Sequence, residues 1–159
     1  MTVIDIHTHM IPRKWLDLLQ SDGGDYELKT TRAGHTAIHL ARAPFVTLMP
    51  EMFDYDLRLQ AMDAAGVDIA VLSLTGPNVF WGTEGVSAEA ARVGNAAFAE
   101  SQRMHPDRIR WIASIPWEFP EAALAELARA RSEGALGVAA LANIRGRDDQ
   151  LYLYGEQRR

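Results

Sequence analysis

Asp68-Ile69-Ala70-Val71-Leu72-Ser73-Leu74 is a nearly continuous apolar run, the composition of a parallel strand covered on both faces. Helical spacing at Leu57, Met62 and Ala65 precedes it, with Asp54 as the capping residue and Gly66 as the stop. Beyond it, Ser87 is expected to cap a long helix reaching about Met104, closed by His105-Pro106-Asp107. A third strand over 109–115, an Ala/Leu-rich helix over 120–133 and a fourth strand over 135–141 continue the series. Upstream, residues 3–9 read as the first strand, because Ile4 and Ile6 alternate with Asp5, His7 and His9 at a period of two. Strands alternating with helices of this length imply right-handed crossovers and a parallel sheet, either open and doubly wound or closed into a barrel. A full barrel repeats the unit eight times in about 250 residues, so the four units here amount to about half of one.

Between the first strand and the Asp54 helix the pattern departs from this alternation. Pro12 suits the first turn of a short helix through Lys14, Trp15, Leu18 and Leu19, ending near Gly23 and Gly24. Residues 26–30 and 36–40 then alternate in the manner of strands around the five-residue loop 31–35. Their half-polar character predicts a β-hairpin insertion over about 26–40, outside the parallel sheet. No linker divides the chain, and 159 residues, 48% of them hydrophobic, suffice for one core, so residues 1–159 are expected to form a single domain.

Charge and composition narrow the function classes. With 16 basic and 21 acidic residues the net charge is −5, which leaves no basic footprint for nucleic acid or an anionic membrane. No run of about 18 apolar residues occurs, and polar Asp5, His7 and His9 interrupt any secretory leader at the N-terminus. A cytoplasmic protein with a small-molecule substrate is the expectation. Cysteine is absent, so any metal must be held by His, Asp, Glu or water. No phosphate-binding glycine fingerprint follows a strand, which weakens the reading as a binding module on an open sheet.

The chemistry-bearing residues gather at strand ends. His7 and His9, two apart on one strand, lie roughly 7 Å apart along the chain and point the same way, so both can lean toward one ion. Asp5 is expected on their face. Phe80 and Trp81 lie in the 75–85 loop after the second strand, and Asn143 lies just past the fourth. His35 and His39 fall in the hairpin and His105 at a helix end, so none of these three is assigned as a ligand.

Ile4-Asp5-Ile6-His7-Thr8-His9-Met10-Ile11-Pro12, together with the stretch from Arg58 through Asp63 and Gly66 to Asp68, Asn95-Ala96-Ala97-Phe98-Ala99, His105-Pro106-Asp107-Arg108 and Ser114-Ile115-Pro116, resembles the amidohydrolase-2 group of the amidohydrolase superfamily. That group includes aminocarboxymuconate-semialdehyde and resorcylate-type decarboxylases, and the similarity spans residues 3–145. The resemblance implies a partial (β/α) TIM-type barrel of about the first four βα units, with one divalent metal, commonly zinc, at the C-terminal strand ends. It makes His7 and His9 metal ligands and places Phe80, Trp81 and Asn143 against the substrate.

Decarboxylation of a small carboxylated aromatic is the leading activity it implies, with metal-dependent hydrolysis of an ester, lactone or amide as the alternative. The family's remaining ligands, a His after strand five and an Asp after strand eight, and its His general acid/base have no counterpart here. The arginine that picolinate-pathway decarboxylases carry before the Asp54 helix is also absent from 45–49, and Arg42 is out of register for that role. The polar tail 145–159 does not lead into a further βα unit, so a catalytically incomplete fragment is a further expectation. A half barrel would leave strand edges open and would associate with itself or another chain.

Overall fold

The computed structural model describes residues 1–140 and two short strands beyond them, Asn143–Ile144 and Arg147–Asp148. Its centre is a three-stranded parallel sheet in the order β1 (Ile4–His9), β5 (Ile69–Ser73), β6 (Ile109–Trp111). The fully apolar run that predicts a buried strand is β5, and Ala70 and Leu72 are completely buried. The expected third strand is shorter than 109–115. The fourth is not a strand at all among the described residues but an isolated parallel bridge from Ala113 to Val138. Backbone bonds Leu136 N to Trp111 O (2.9 Å) and Ala139 N to Ala113 O (2.8 Å) keep it parallel to β6. Pro116 and the Gly and Ala residues that make up five of positions 134–140 favour a bridge over an extended ladder, since Pro donates no ladder bond and Gly and Ala pack little surface.

Among the described residues there are four α-helices. α1 is Arg13–Asp22, with Pro12 at its N-cap rather than inside its first turn. α2 is Tyr55–Ala65, and its ends follow the sequence reading closely. The Asp54 carboxylate accepts the N–H groups of Asp56 (2.8 Å) and Leu57 (3.1 Å), and Gly66 stops the helix at φ 68°, a left-handed conformation that favours glycine. α3 is Glu84–Met104 and starts earlier than expected. Thr83 holds the cap position, while Ser87 is buried inside the helix, where its hydroxyl faces the Gly82 carbonyl at 3.5 Å. α4 is Pro120–Ser132.

The insertion is larger than a hairpin. β2 (Tyr26–Thr30) and β3 (Thr36–Leu40) pair antiparallel in the expected register, and β4 (Ala43–Leu48) adds a third antiparallel strand. The β3–β4 turn consists of Ala41 (φ 48°) and Arg42 (φ 72°). Two consecutive left-handed residues make the tight turn that usually selects Asn-Gly. Pro44 lies in β4, which is an edge strand and can therefore lack one N–H donor. Ala37, Ile38 and Leu48 are buried, so this sheet packs onto the main body. β7 (Asn143–Ile144) and β8 (Arg147–Asp148) form a separate antiparallel pair.

A polar network ties three successive elements together inside the core. Asn95 on α3 is fully buried; its amide donates to Ser114 O (2.9 Å) and to Glu126 Oε1 (2.6 Å), and its own oxygen accepts Ser114 N–H (2.9 Å). Glu126 on α4, itself buried, receives two further bonds from Arg129 (2.6 and 2.8 Å). Replacing Asn95 with Leu strands the Ser114 backbone and leaves Glu126 one donor short. Asn95→Leu is therefore expected to lower the unfolding free energy by about 2–4 kcal/mol in urea denaturation, and a loss below about 0.5 kcal/mol would show the network to be dispensable. Asp54→Ala removes both cap bonds at an exposed helix end and should cost only about 1 kcal/mol in the same assay.

Candidate functional site

Parallel pairing puts the C-terminal ends of β1 and β5 at one edge of the sheet, and His9 pairs directly with Ser73 there. The register is not uniform. Asp5 pairs with Ala70 and Thr8 with Leu72, so β1 carries one extra residue between those two pairs. Ala70 and Ser73 are three apart and face opposite sides of the sheet. The Asp5 carboxylate accepts the His7 backbone N–H at 3.0 Å, and Asp5 is not grouped with His7 and His9 as an ion-holding cluster.

His7 and His9 do come together. Their rings stand 5.0 Å apart between centroids and 74° apart in plane. His7 is exposed and His9 half-buried. His9 Nδ1 lies 3.3 Å from Ser73 O and 3.0 Å from Ser73 Oγ. A carbonyl can only accept, so Nδ1 carries the proton and Nε2 keeps its lone pair for another partner. Ser73 Oγ–H in turn donates a hydrogen bond to Thr8 O (3.4 Å). Burial holds the His9 pKa below the ordinary histidine value; the bond to the Ser73 carbonyl opposes this, while His7 and Arg58 add to the lowering. The neutral ring so favoured is the form that binds metal.

The donor set suits a divalent ion as far as it goes. Two imidazoles on one zinc, with Zn–N about 2.0–2.1 Å and a tetrahedral angle, stand roughly 5 Å apart between ring centroids. The observed separation matches that figure. Among the described residues, however, no group of three or more His, Cys, Asp or Glu side chains is placed to hold an ion. His35 sits in the β2–β3 turn with its backbone N–H on Thr31 Oγ1 (3.1 Å), and His39 Nδ1 lies 3.4 Å from Arg42 O. His105 ends α3 and stacks on Tyr55 at 6.0 Å. None of the three is grouped with His7 and His9.

Phe80 and Trp81 are both buried in the core, each 8% exposed. Trp81 packs edge-on against Trp15 at 6.3 Å, and both indole N–H groups donate to the same acceptor, Asn78 O, at 2.9 Å each. The loop after β5 is thereby anchored to the start of α1. Asn143 belongs to β7, and its side chain lies outside the described residues. A cleft of about 460 Å³ near the starts of α1 and α2, lined also by Arg92 and Val93 of α3, includes neither histidine in its lining.

Two partners of His9 are invisible to sequence reasoning. Ser73 reads only as a small interruption in an apolar strand, and Arg58 only as a charge on a helix. Arg58 Nη2 in fact donates to the His9 carbonyl at 3.0 Å, from forty-nine residues away.

No family model matches the chain. It is 28% identical over 150 residues to 2-amino-3-carboxymuconate-6-semialdehyde decarboxylase of Dictyostelium discoideum, covering 91% of this chain and 42% of that protein. It is 36% identical over 104 residues to γ-resorcylate decarboxylase of Rhodococcus jostii, covering 61% of this chain and 32% of the relative. Among solved structures, 5-carboxyvanillate decarboxylase of Novosphingobium aromaticivorans, in complex with manganese and 4-hydroxy-3-methoxy-5-nitrobenzoic acid, superposes with a TM-score of 0.69 at 22% identity. That match covers 92% of this chain and 43% of the other. The chain thus spans less than half the length of these relatives. In sequence and in fold it resembles part of the amidohydrolase-2 group of decarboxylases.

Proposed function

We propose that this chain carries the first-strand metal site of a metal-dependent decarboxylase, a carbon–carbon lyase acting on a small carboxylated aromatic or related compound. The observation that carries the reading is the His7–His9 pair at the end of β1, with ring centroids 5.0 Å apart and His9 Nδ1 already committed to Ser73. The names of the relatives favour decarboxylation over hydrolysis of an ester, lactone or amide. The parallel sheet is read as the opening of a (β/α) barrel, about its first four units, within one domain over 1–159. A cytoplasmic location accords with the absence of cysteine and of a membrane-crossing helix among the described residues.

In this reading His7 and His9 hold a divalent ion, and the other donors come from outside the described residues or from a second chain. Zinc is the ion that the resemblance implies, and manganese is the one carried by the carboxyvanillate enzyme. When bound, the ion would polarise substrate oxygens and lower the pKa of coordinated water. Ser73 fixes the His9 ring so that Nε2 is the available nitrogen. Phe80 and Trp81 are assigned to the substrate side, with Trp81 held through the Asn78 carbonyl. Asn143 is assigned to the same side, and the general acid/base lies beyond the residues described.

The reading is tested on the full chain stripped of metal by a chelator. Calorimetric titration with Zn²⁺ and with Mn²⁺ is expected to show binding that His7→Ala or His9→Ala abolishes and that His35→Ala and His105→Ala leave unchanged. Carbon dioxide release from γ-resorcylate is followed in the same samples, and all turnover should disappear with the chelator and with either site variant. Metal uptake that survives both site variants, or carbon dioxide release independent of metal, would overturn the reading.

A further inference from the structure

β1 leaves the sheet immediately after His9, and a strand end is where a side chain most readily loses its aim. Two braces hold the exit, both from the α2 region. Ile11 N–H donates to Met52 O at 2.7 Å, and Arg58 Nη2 donates to His9 O at 3.0 Å. Arg58 is well placed for this: its own N–H makes an early helical bond of α2, to Asp54 O at 3.0 Å, and the Asp54 cap fixes where that turn begins.

The guanidinium of Arg58 is unusual in its surroundings. It is half-buried, its Nε is buried without a hydrogen-bond partner, and among the described residues it forms no ion pair. Withdrawing a guanidinium from water without a carboxylate is costly. An apolar side chain of similar length would fill the space at less cost. What such a side chain would lack is a donor long enough to reach the His9 carbonyl.

We infer that Arg58 is the positioning residue for His9. It holds the strand end so that the imidazole keeps Nδ1 on Ser73 and presents Nε2 to the site. The consequence for metal affinity rests on the function proposed above, whereas the consequence for the ring's tautomer does not. Removing the partner of the ring nitrogen, here Ser73, typically lowers metal affinity 10–100-fold; Arg58 acts on the ring through the main chain, so its loss is expected at the low end of that range.

The experiment uses the full chain with Arg58→Met and Arg58→Lys. Arg108→Met is the control, because Arg108 bonds to Asp68 O (2.8 Å), Asp63 Oδ1 (2.7 Å) and Val67 O (3.1 Å) at the start of β5, away from His9. Long-range ¹⁵N NMR reads the His9 tautomer in the metal-free protein, calorimetry reads Mn²⁺ affinity, and thermal unfolding reads global stability. The parent chain is expected to hold the Nδ1–H tautomer. Arg58→Met should mix the two tautomers and weaken Mn²⁺ binding by about tenfold. Arg58→Lys, which keeps a donor, should fall between them, and Arg108→Met should lower the unfolding midpoint while leaving tautomer and affinity as in the parent. If Arg58→Met retains the pure Nδ1–H tautomer, or if Arg108→Met disturbs the ring equally, the inference is overturned. If the parent chain binds no Mn²⁺, the metal reading fails and the tautomer comparison still decides the role of Arg58. Should Arg58→Met not fold, Arg58→Lys decides it: a mixed tautomer supports the inference and a parent-like one overturns it.

Discussion

Parallel strands cannot be joined by a tight turn, and this constraint governs the rest of the molecule. The chain must travel back along the sheet between β1 and β5, and it uses the crossover to carry α1, the antiparallel insertion and α2. The return also makes the two strands end at the same edge. Segments distant in sequence then become neighbours, and His9 meets Ser73 sixty-four residues away. The same edge brings Trp15, just after β1, and Trp81, just after β5, onto the single carbonyl of Asn78. An antiparallel arrangement of these two strands would separate all four groups.

Apolar contacts cover the sheet, but they are tolerant of small shifts; hydrogen bonds in the interior are not. Asn95 accordingly does more than fill space. It fixes α3 against the segment that follows β6 and, through Glu126, against α4. Arg129 completes the pairing of a buried carboxylate and also reaches Arg92 O on α3 at 3.3 Å. Successive βα units are thus keyed to each other by polar groups on the helix side, while the strand ends that carry His7 and His9 stay free of that network.

Features written in local sequence were legible: the apolar β5 run, the Asp54 and Gly66 stops of α2, the proline start of α4, and the alternation of β2 and β3. What could not be read depends on partners far away in sequence. Ala41-Arg42 carries no turn signature, and Pro44 argues against a strand unless that strand is known to be an edge, so β4 was hidden. The register shift in β1 is equally silent, since an alternating string has the same letters with or without it. Thr83 and Ser87 are both competent caps, and only burial of the turn containing Ser87 separates them. At the site, the His-x-His pair was visible because its geometry is local. Arg58 and Ser73 were not, because each reaches His9 across the tertiary fold, and nothing in the local sequence signals that Trp81 shares the Asn78 carbonyl with Trp15.

The support around the histidines and their shielding from water are unequally developed. His9 has its ring nitrogen, its carbonyl and the following backbone all engaged by neighbours within the described residues. Yet His7 is exposed, and on the same strand Ile4 and Ile6 are 51% and 76% exposed. Electrostatic interactions at such a surface are weakened by water, so an ion held there by two neutral imidazoles would be bound far less firmly than in an enclosed site. Orientation and enclosure are therefore separable properties. The elements up to α4 provide the first through β5 and α2, whereas the second requires apolar surface laid over β1. The curated relatives carry more than half of their length outside the matched span, and a barrel continuing from this sheet would draw both that cover and its further metal donors from there.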